Sequence, residues 1–227
     1  MINQIKKELY KKADKEKAKQ LARFFKTGKG EYGEGDVFIG IKVPDQRVIA
    51  KNFRNASFND LKELIKSEIH EFRLTALLIL IFKYKNEKEK AFKFYIKNIK
   101  RINNWDLVDL SAPNIIGDYL LDKDRSILYE FAKSNDLWKK RIAIISTFTF
   151  IRNNDFDDSL NISEILLNDK HDLIHKAVGW MLREIGKRDV KVEKKFLEKY
   201  SKKMPRTMLR YSIEKFSLKE KRFFMSR

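Results

Sequence analysis

The run Asn104-Trp105-Asp106-Leu107-Val108-Asp109-Leu110-Ser111-Ala112 sets an indole and a carboxylate four residues apart. On a helix that spacing puts Trp105 and Asp109 on one face, one turn from each other. The face of an indole attracts cations, and a carboxylate stabilises positive charge, so the pair suits a reacting centre that is or becomes cationic. Around it the chain carries 50 Lys and Arg against 32 Asp and Glu, a formal charge of +18. A surplus of that size points to a polyanionic partner, a nucleic acid or an anionic membrane surface. The chemistry to look for is therefore that of a locally cationic group within an anionic polymer. Taken alone, a tryptophan with an acid at i+4 is more often structural than catalytic, the ring packing and the acid capping or pairing. Two later segments add to it: Arg141 ahead of Ile142-Ala-Ile-Ile145, and Trp180 with Arg183 in Gly179-Trp-Met-Leu-Arg-Glu184.

Such residues need a rigid frame, and the rest of the chain reads as helix after helix. Only 3 prolines and 8 glycines occur, and five of the glycines fall between Gly28 and Gly40, leaving few breaks elsewhere. Apolar residues recur at three- and four-residue steps in Ile5-Leu9, Leu61-Leu64-Ile65, Ala76-Leu77-Leu80-Ile81 and Ile127-Leu128-Phe131, the period of helices with one buried face. Pro44 and Pro205 suit first helical turns, and Gly186 and Asn153-Asn154 suit helix ends. Asp36 to Val43 is the one strand-like stretch, and without a partner strand it reads as an extended loop. Four segments set a basic residue beside a small or apolar helical core: Phe72-Arg73-Leu-Thr-Ala76, Lys140-Arg141-Ile-Ala143, His175-Lys176-Ala177 and Arg206-Thr-Met-Leu209-Arg210. Taking Ala76, Ala112, Ala143, Ala177 and Leu209 as equivalent gives spacings of 36, 31, 34 and 32, which are those of helix-pair repeats. Stacked helix pairs make a curved surface, and equivalent residues of successive repeats line its groove. No linker or low-complexity tract divides the chain, so residues 1–227 read as a single domain.

Several classes are excluded or weakened. The longest strongly apolar run, Leu74 to Phe82, is about half of the roughly 18 residues a membrane-spanning helix needs. The N-terminus Met-Ile-Asn-Gln-Ile-Lys-Lys-Glu has no apolar signal core, and the chain has no cysteine for disulfides, thiolate metal sites or thiol nucleophiles. The expected location is the cytoplasm. Gly28-Lys-Gly30-Glu-Tyr-Gly33 satisfies G-x-G-x-x-G, but a helical segment precedes it, and Glu31, Glu34 and Asp36 would repel a pyrophosphate. His171-Asp-Leu-Ile-His175 is one residue away from a zinc motif yet lacks a third ligand; it reads as a helix start, and His70 likewise as a capping or surface residue. No cofactor and no metal are expected. The lysine run from Lys83 to Lys97 suits a phosphate stripe and a solvated helix face equally. Tyr10, Phe24-Phe25 and Phe223-Phe224 read as packing aromatics.

With these segments in place, the sequence resembles the DNA alkylation repair enzymes of the AlkD type over nearly its whole length. The resemblance is carried by Tyr32-Gly-Glu-Gly-Asp36, Phe38-Ile-Gly40, Val43-Pro-Asp45 with Arg47, and Asn104-Trp-Asp-Leu-Val-Asp109 with Ser111-Ala112 and Gly117. It continues through Leu137-Trp-Lys-Lys-Arg141-Ile-Ala143, Ala177-Val-Gly-Trp180-Met-Leu-Arg183-Glu and Met204-Pro-Arg-Thr-Met-Leu-Arg210-Tyr. It implies an all-α fold, a right-handed solenoid of HEAT-like helical repeats with a concave basic groove. It implies a monofunctional alkylpurine DNA glycosylase: hydrolysis of the N-glycosidic bond of cationic N3- or N7-alkylated purines in duplex DNA, by a monomer, without lyase activity. It implies Asp109 as the catalytic carboxylate, Trp105 and Trp180 as lesion contacts, and Arg141 as a backbone contact near the lesion. Arg183 and Arg210 fall in motifs on the DNA-facing side. The segment Phe148 to Asp158 departs from the lysine-rich character expected there, which leaves the role of Arg152 open.

Two other readings stand beside this one. A non-catalytic HEAT-repeat protein would keep the basic groove and bind damaged or branched DNA without releasing a base. A protein-binding repeat scaffold would use the tryptophans as interface anchors, and the +18 charge disfavours it.

Overall fold

The structure, a computed structural model, describes residues 1–226. All regular secondary structure among them is helical, and the chain divides into two compact units, with the boundary in sequence between Ser111 and Ala112. In the first unit, α1 (Ile2–Tyr10), α2 (Lys15–Phe24), α3 (Val43–Asn52), α4 (Phe58–Ile65), α5 (His70–Tyr84), α6 (Lys88–Lys97) and α7 (from Trp105) follow one another. α5 is apolar on almost every side and is buried from His70 to Leu80, as befits a central helix. It packs against α3, α4 and α6. A capping box at Ser57, closed by Asp60, starts α4. Asp60 also accepts the Ile2 N–H at 2.9 Å, tying α1 to that corner.

The glycine-rich stretch between α2 and α3 is a folded loop, as the lack of a partner strand implies. Its only sheet-like contact among the described residues is a single bridge of Val37 with Ile69. Glu71, in the first turn of α5, is buried and accepts the N–H groups of Ile39, Gly40 and Ile41 at 3.1, 2.8 and 3.2 Å. A carboxylate that receives backbone donors at a helix N-terminus is stabilised on both counts. This fixes the loop to the start of α5. Gly40 makes the crossing possible: its φ is +88°, and a Cβ there would lie 2.0 Å from the Asp14 carbonyl oxygen at the start of α2. Gly40→Ala is expected to cost about 2 kcal/mol or more and to lower the thermal midpoint by roughly 4–8 °C. An unchanged melting curve would mean the loop relaxes freely.

The second unit opens on a short π-helical turn, Pro113–Gly117. It continues through α8 (Ser126–Lys133), α9 (Leu137–Ser146), α10 (Phe148–Arg152), α11 (Asp157–Ile165), α12 (Asp172–Gly186), α13 (Val190–Tyr200), α14 (Arg206–Ser212) and α15 (Leu218–Met225). The expected helix boundaries hold at Pro44, Pro205, Gly186 and Asn153. α12 packs against α9, α13 and α14 and is the core of this unit. The five positions read as repeat-equivalent, Ala76, Ala112, Ala143, Ala177 and Leu209, are all buried; four lie in the first two turns of their helices, whereas Ala112 is the last residue of α7. No helix among the described residues is long and apolar enough to cross a membrane.

Candidate active site

Trp105 opens α7, and Asn104 immediately before it is buried, its side-chain oxygen accepting the Trp105 N–H at 2.8 Å. One turn later comes Asp109, and both side chains are partly exposed on the first unit. The indole is not free to rotate. It stacks on Phe25 at 5.1 Å between centroids with an interplanar angle of 12°, and Phe24 meets it edge-on at 5.8 Å. Phe25 stacks in turn on Phe38 at 5.0 Å, and Phe38 on His70 at 4.5 Å. Phe25 is core, as the sequence suggested, but Phe24 is 62% exposed and stands beside the indole as surface. Beneath Asp109 lies Tyr95 of α6, wholly buried, with its hydroxyl 3.1 Å from the Ser111 hydroxyl. Burial, reinforced by the negative charge of Asp109, pushes the Tyr95 phenol well up, so it stays protonated.

Sequence reasoning missed the polar core of this corner. His70 is 1% exposed, where a capping or surface residue was expected. Its Nδ1 lies 3.0 Å from Asp36 and its Nε2 2.8 Å from Asp106, the residue after Trp105. Asp36 also pairs with Arg73 at 2.6 Å and receives the Asn103 amide at 3.2 Å. Burial alone would drive the imidazole toward neutrality, but Asp106 and Asp36 outweigh it and raise its pKa to about 9. Burial likewise works against ionisation of Asp36, and His70 with Arg73 nonetheless holds it below the usual range. The only signal for this cluster was that His70 and Asp106 begin helices one repeat, 36 residues, apart. A roughly 350 Å³ cavity borders the cluster, walled mainly by apolar side chains such as Phe25, Phe38, Ile41 and Leu74.

In the second unit Trp180 is partly exposed, and its indole N–H donates to Glu184 at 3.1 Å. Phe148 packs beside it at 5.7 Å, and the Arg152 guanidinium covers the Phe148 ring at 4.1 Å. Arg141 is 5% exposed and donates to the Leu173 carbonyl at 2.5 Å, so its guanidinium is held by the protein at the start of α12. Arg183 is turned to Glu214 in an ion pair. Arg210 is exposed.

The two sequence features set aside on chemical grounds have partners within the protein. In the glycine loop, the N–H groups of Gly28 and Gly30 are taken by the carboxylates of Glu31 and Glu34, each at 2.8 Å, so they are not offered to a phosphate. His171 caps α12 by accepting the Leu173 N–H, and His175 meets the Asp169 carbonyl. No cluster that could hold a metal occurs among the described residues.

A profile of the family described as "DNA alkylation repair enzyme" matches residues 5–216, and this chain belongs to that family. Its fold is that of a solved structure described as a predicted DNA alkylation repair enzyme from Enterococcus faecalis. That likeness has a TM-score of 0.71 at 17% identity and covers 91% of this chain and 98% of the other. No curated protein matches the chain.

Proposed function

We propose that this family member is a monofunctional DNA glycosylase that hydrolyses the N-glycosidic bond of N3- or N7-alkylated purines in duplex DNA. The observation that carries the reading is the pair on α7: a braced indole and a carboxylate one turn apart, in a chain of +18 charge. Alkylation at N3 or N7 makes the purine cationic, so the base leaves without being protonated, and one carboxylate suffices where sugar hydrolases commonly use two. As the bond breaks, its electron pair goes to the purine nitrogen and neutralises the base, while positive charge develops on the deoxyribose. Asp109 stabilises that charge and orients a water, whose oxygen bonds to C1′ and whose proton passes to Asp109 or solvent. The products are free base and an abasic site. Trp105 contributes selectivity, since its face favours a cationic ring over neutral bases by roughly 0.5–2 kcal/mol. No step calls on a lysine Schiff base, so strand cleavage is not expected.

In the second unit Trp180 is proposed as a further lesion contact, and Arg141, Arg183 and Arg210 as DNA contacts. Of these, Arg210 is open to solvent, whereas Arg141 and Arg183 must exchange protein partners for phosphates. Arg210→Ala is therefore expected to weaken duplex binding evenly across sequences and to lower the slope of log K against log salt by about 1. An unaltered slope removes Arg210 from the interface. The protein is proposed to act as a cytoplasmic monomer and a single domain, without a cofactor. The deciding experiment is release of free base from a duplex carrying one methylated purine: tight binding without release would favour the non-catalytic reading.

A further inference from the structure

The buried chain Asp36–His70–Asp106 has no part in the chemistry proposed above, yet its geometry bears directly on α7. Asp36 comes from the glycine-rich loop and is itself held by Arg73 and Asn103. Asp106 belongs to the first turn of α7 and adjoins Trp105. A neutral imidazole has one N–H and can donate to only one of these carboxylates; the imidazolium donates to both. The same ring ends the stack that backs the indole, through Phe38 and Phe25. His70 thus holds the first turn of α7 twice, by its edge through Asp106 and by its face through the aromatic column.

We propose that His70 is a positioning residue, whose doubly bonded ring sets the orientation of the Trp105 indole and the seating of the helix that carries Asp109. The proposal rests on the reading of Trp105 and Asp109 as the lesion-contacting and catalytic pair. The charged groups around the ring are Asp36 from the loop, Asp106 from α7, and Arg73 and Glu71 from its own helix. Lys17 of α2 and Lys42 before α3 stand with it around the apolar cavity. Glu71 is occupied by backbone donors, so the two aspartates balance the ring and Arg73. The ring therefore keeps its proton to about pH 9 and then loses one of its two bonds.

The test follows the indole N–H resonance of Trp105, identified as the one lost in Trp105→Phe, together with single-turnover base release by the full chain. In the wild type that resonance is expected to shift with a midpoint near pH 9, and the shift is expected to vanish in His70→Gln. Glutamine places its amide nitrogen where Nε2 stood, toward Asp106, and asparagine places its own where Nδ1 stood, toward Asp36. Release is expected to fall roughly 10-fold in His70→Gln and further in His70→Asn, with duplex affinity kept within about 2-fold. An indole signal that does not titrate in the wild type overturns the proposal, whatever the rates. So does a titrating signal with unaltered release in the folded variants, which confines His70 to structure. Should His70→Asn not fold, the comparison of wild type with His70→Gln decides alone. If the wild type releases no base, the glycosylase reading fails, and the positioning of Trp105 is then judged by the indole signal.

Discussion

Asp109→Asn is expected to slow release of an N7-methylated guanine about 100-fold, a loss of roughly 2.7 kcal/mol of transition-state stabilisation. Asparagine matches aspartate in size, keeps α7 intact and still accepts a hydrogen bond, so what it removes is the negative charge. In the proposed mechanism that charge acts when the deoxyribose becomes cationic, and it hardly contributes before the bond stretches. The loss is therefore expected in the single-turnover rate and not in the affinity for undamaged duplex, which is expected to gain slightly as one carboxylate leaves a surface proposed to face phosphates. The effect is also expected to depend on the lesion. A purine that leaves as a good cationic leaving group retains a slow, Asp109-independent release. A neutral base is expected to be released by neither form, because the proposed mechanism uses no general acid. A variant that releases base at the wild-type rate would remove Asp109 from the mechanism, and Tyr95 beneath it stays too firmly protonated to substitute as an anion.

The parts of this site that were legible in the sequence are those fixed by local periodicity. Trp105 and Asp109 share a helix, so their common face follows from four-residue spacing. The alanines at 76, 112, 143 and 177, picked out by their regular spacing, are all buried. The glycine loop could be rejected as a phosphate cradle because its own glutamates were visible, and they do take the N–H groups. What stayed hidden depends on partners distant in sequence. His70 reads as a surface histidine until Asp36, 34 residues before it, and Asp106, 36 residues after it, are brought to its two nitrogens. Arg141 and Arg183 are arginines in a basic chain, and nothing in their neighbours reveals that Leu173 and Glu214 hold them. The aromatic brace behind Trp105 is likewise a product of the loop fold, because Phe25 and Phe38 lie at its two ends and Glu71 holds the backbone just after Phe38.

Glu193→Gln is expected to stabilise the protein by on the order of 3 kcal/mol near pH 8 and by almost nothing near pH 4.5. Glu193 lies in the first turns of α13, only 2% exposed, with its Oε1 lacking a hydrogen-bond partner. Its other oxygen lies against the backbone of Gly186, 1.6 Å from where a Cβ would stand. Arg183 is the nearest compensating charge, but its guanidinium is already paired with Glu214. Burial therefore dominates, and it pushes the Glu193 carboxyl up to about 8 against the opposing pull of Arg183 and Lys194. With the folded pKa above the unfolded value, the folded state holds an extra proton between about pH 4.5 and 8. Stability from this group is complete below that window and falls as pH rises through it, so an uncharged isostere gains most at its upper end. His70 runs in the same direction at a higher range: its contribution is complete below about pH 6.5 and is lost as pH rises through about 9. Wild-type stability is thus expected to decline across both windows, and Glu193→Gln is expected to flatten only the lower one. For a chain of this length, the gain corresponds to a rise in thermal midpoint of roughly 6–12 °C at pH 8. Melting curves at pH 5 and pH 8 separate this from simple repacking, because a gain equal at both values would leave the buried charge without a role.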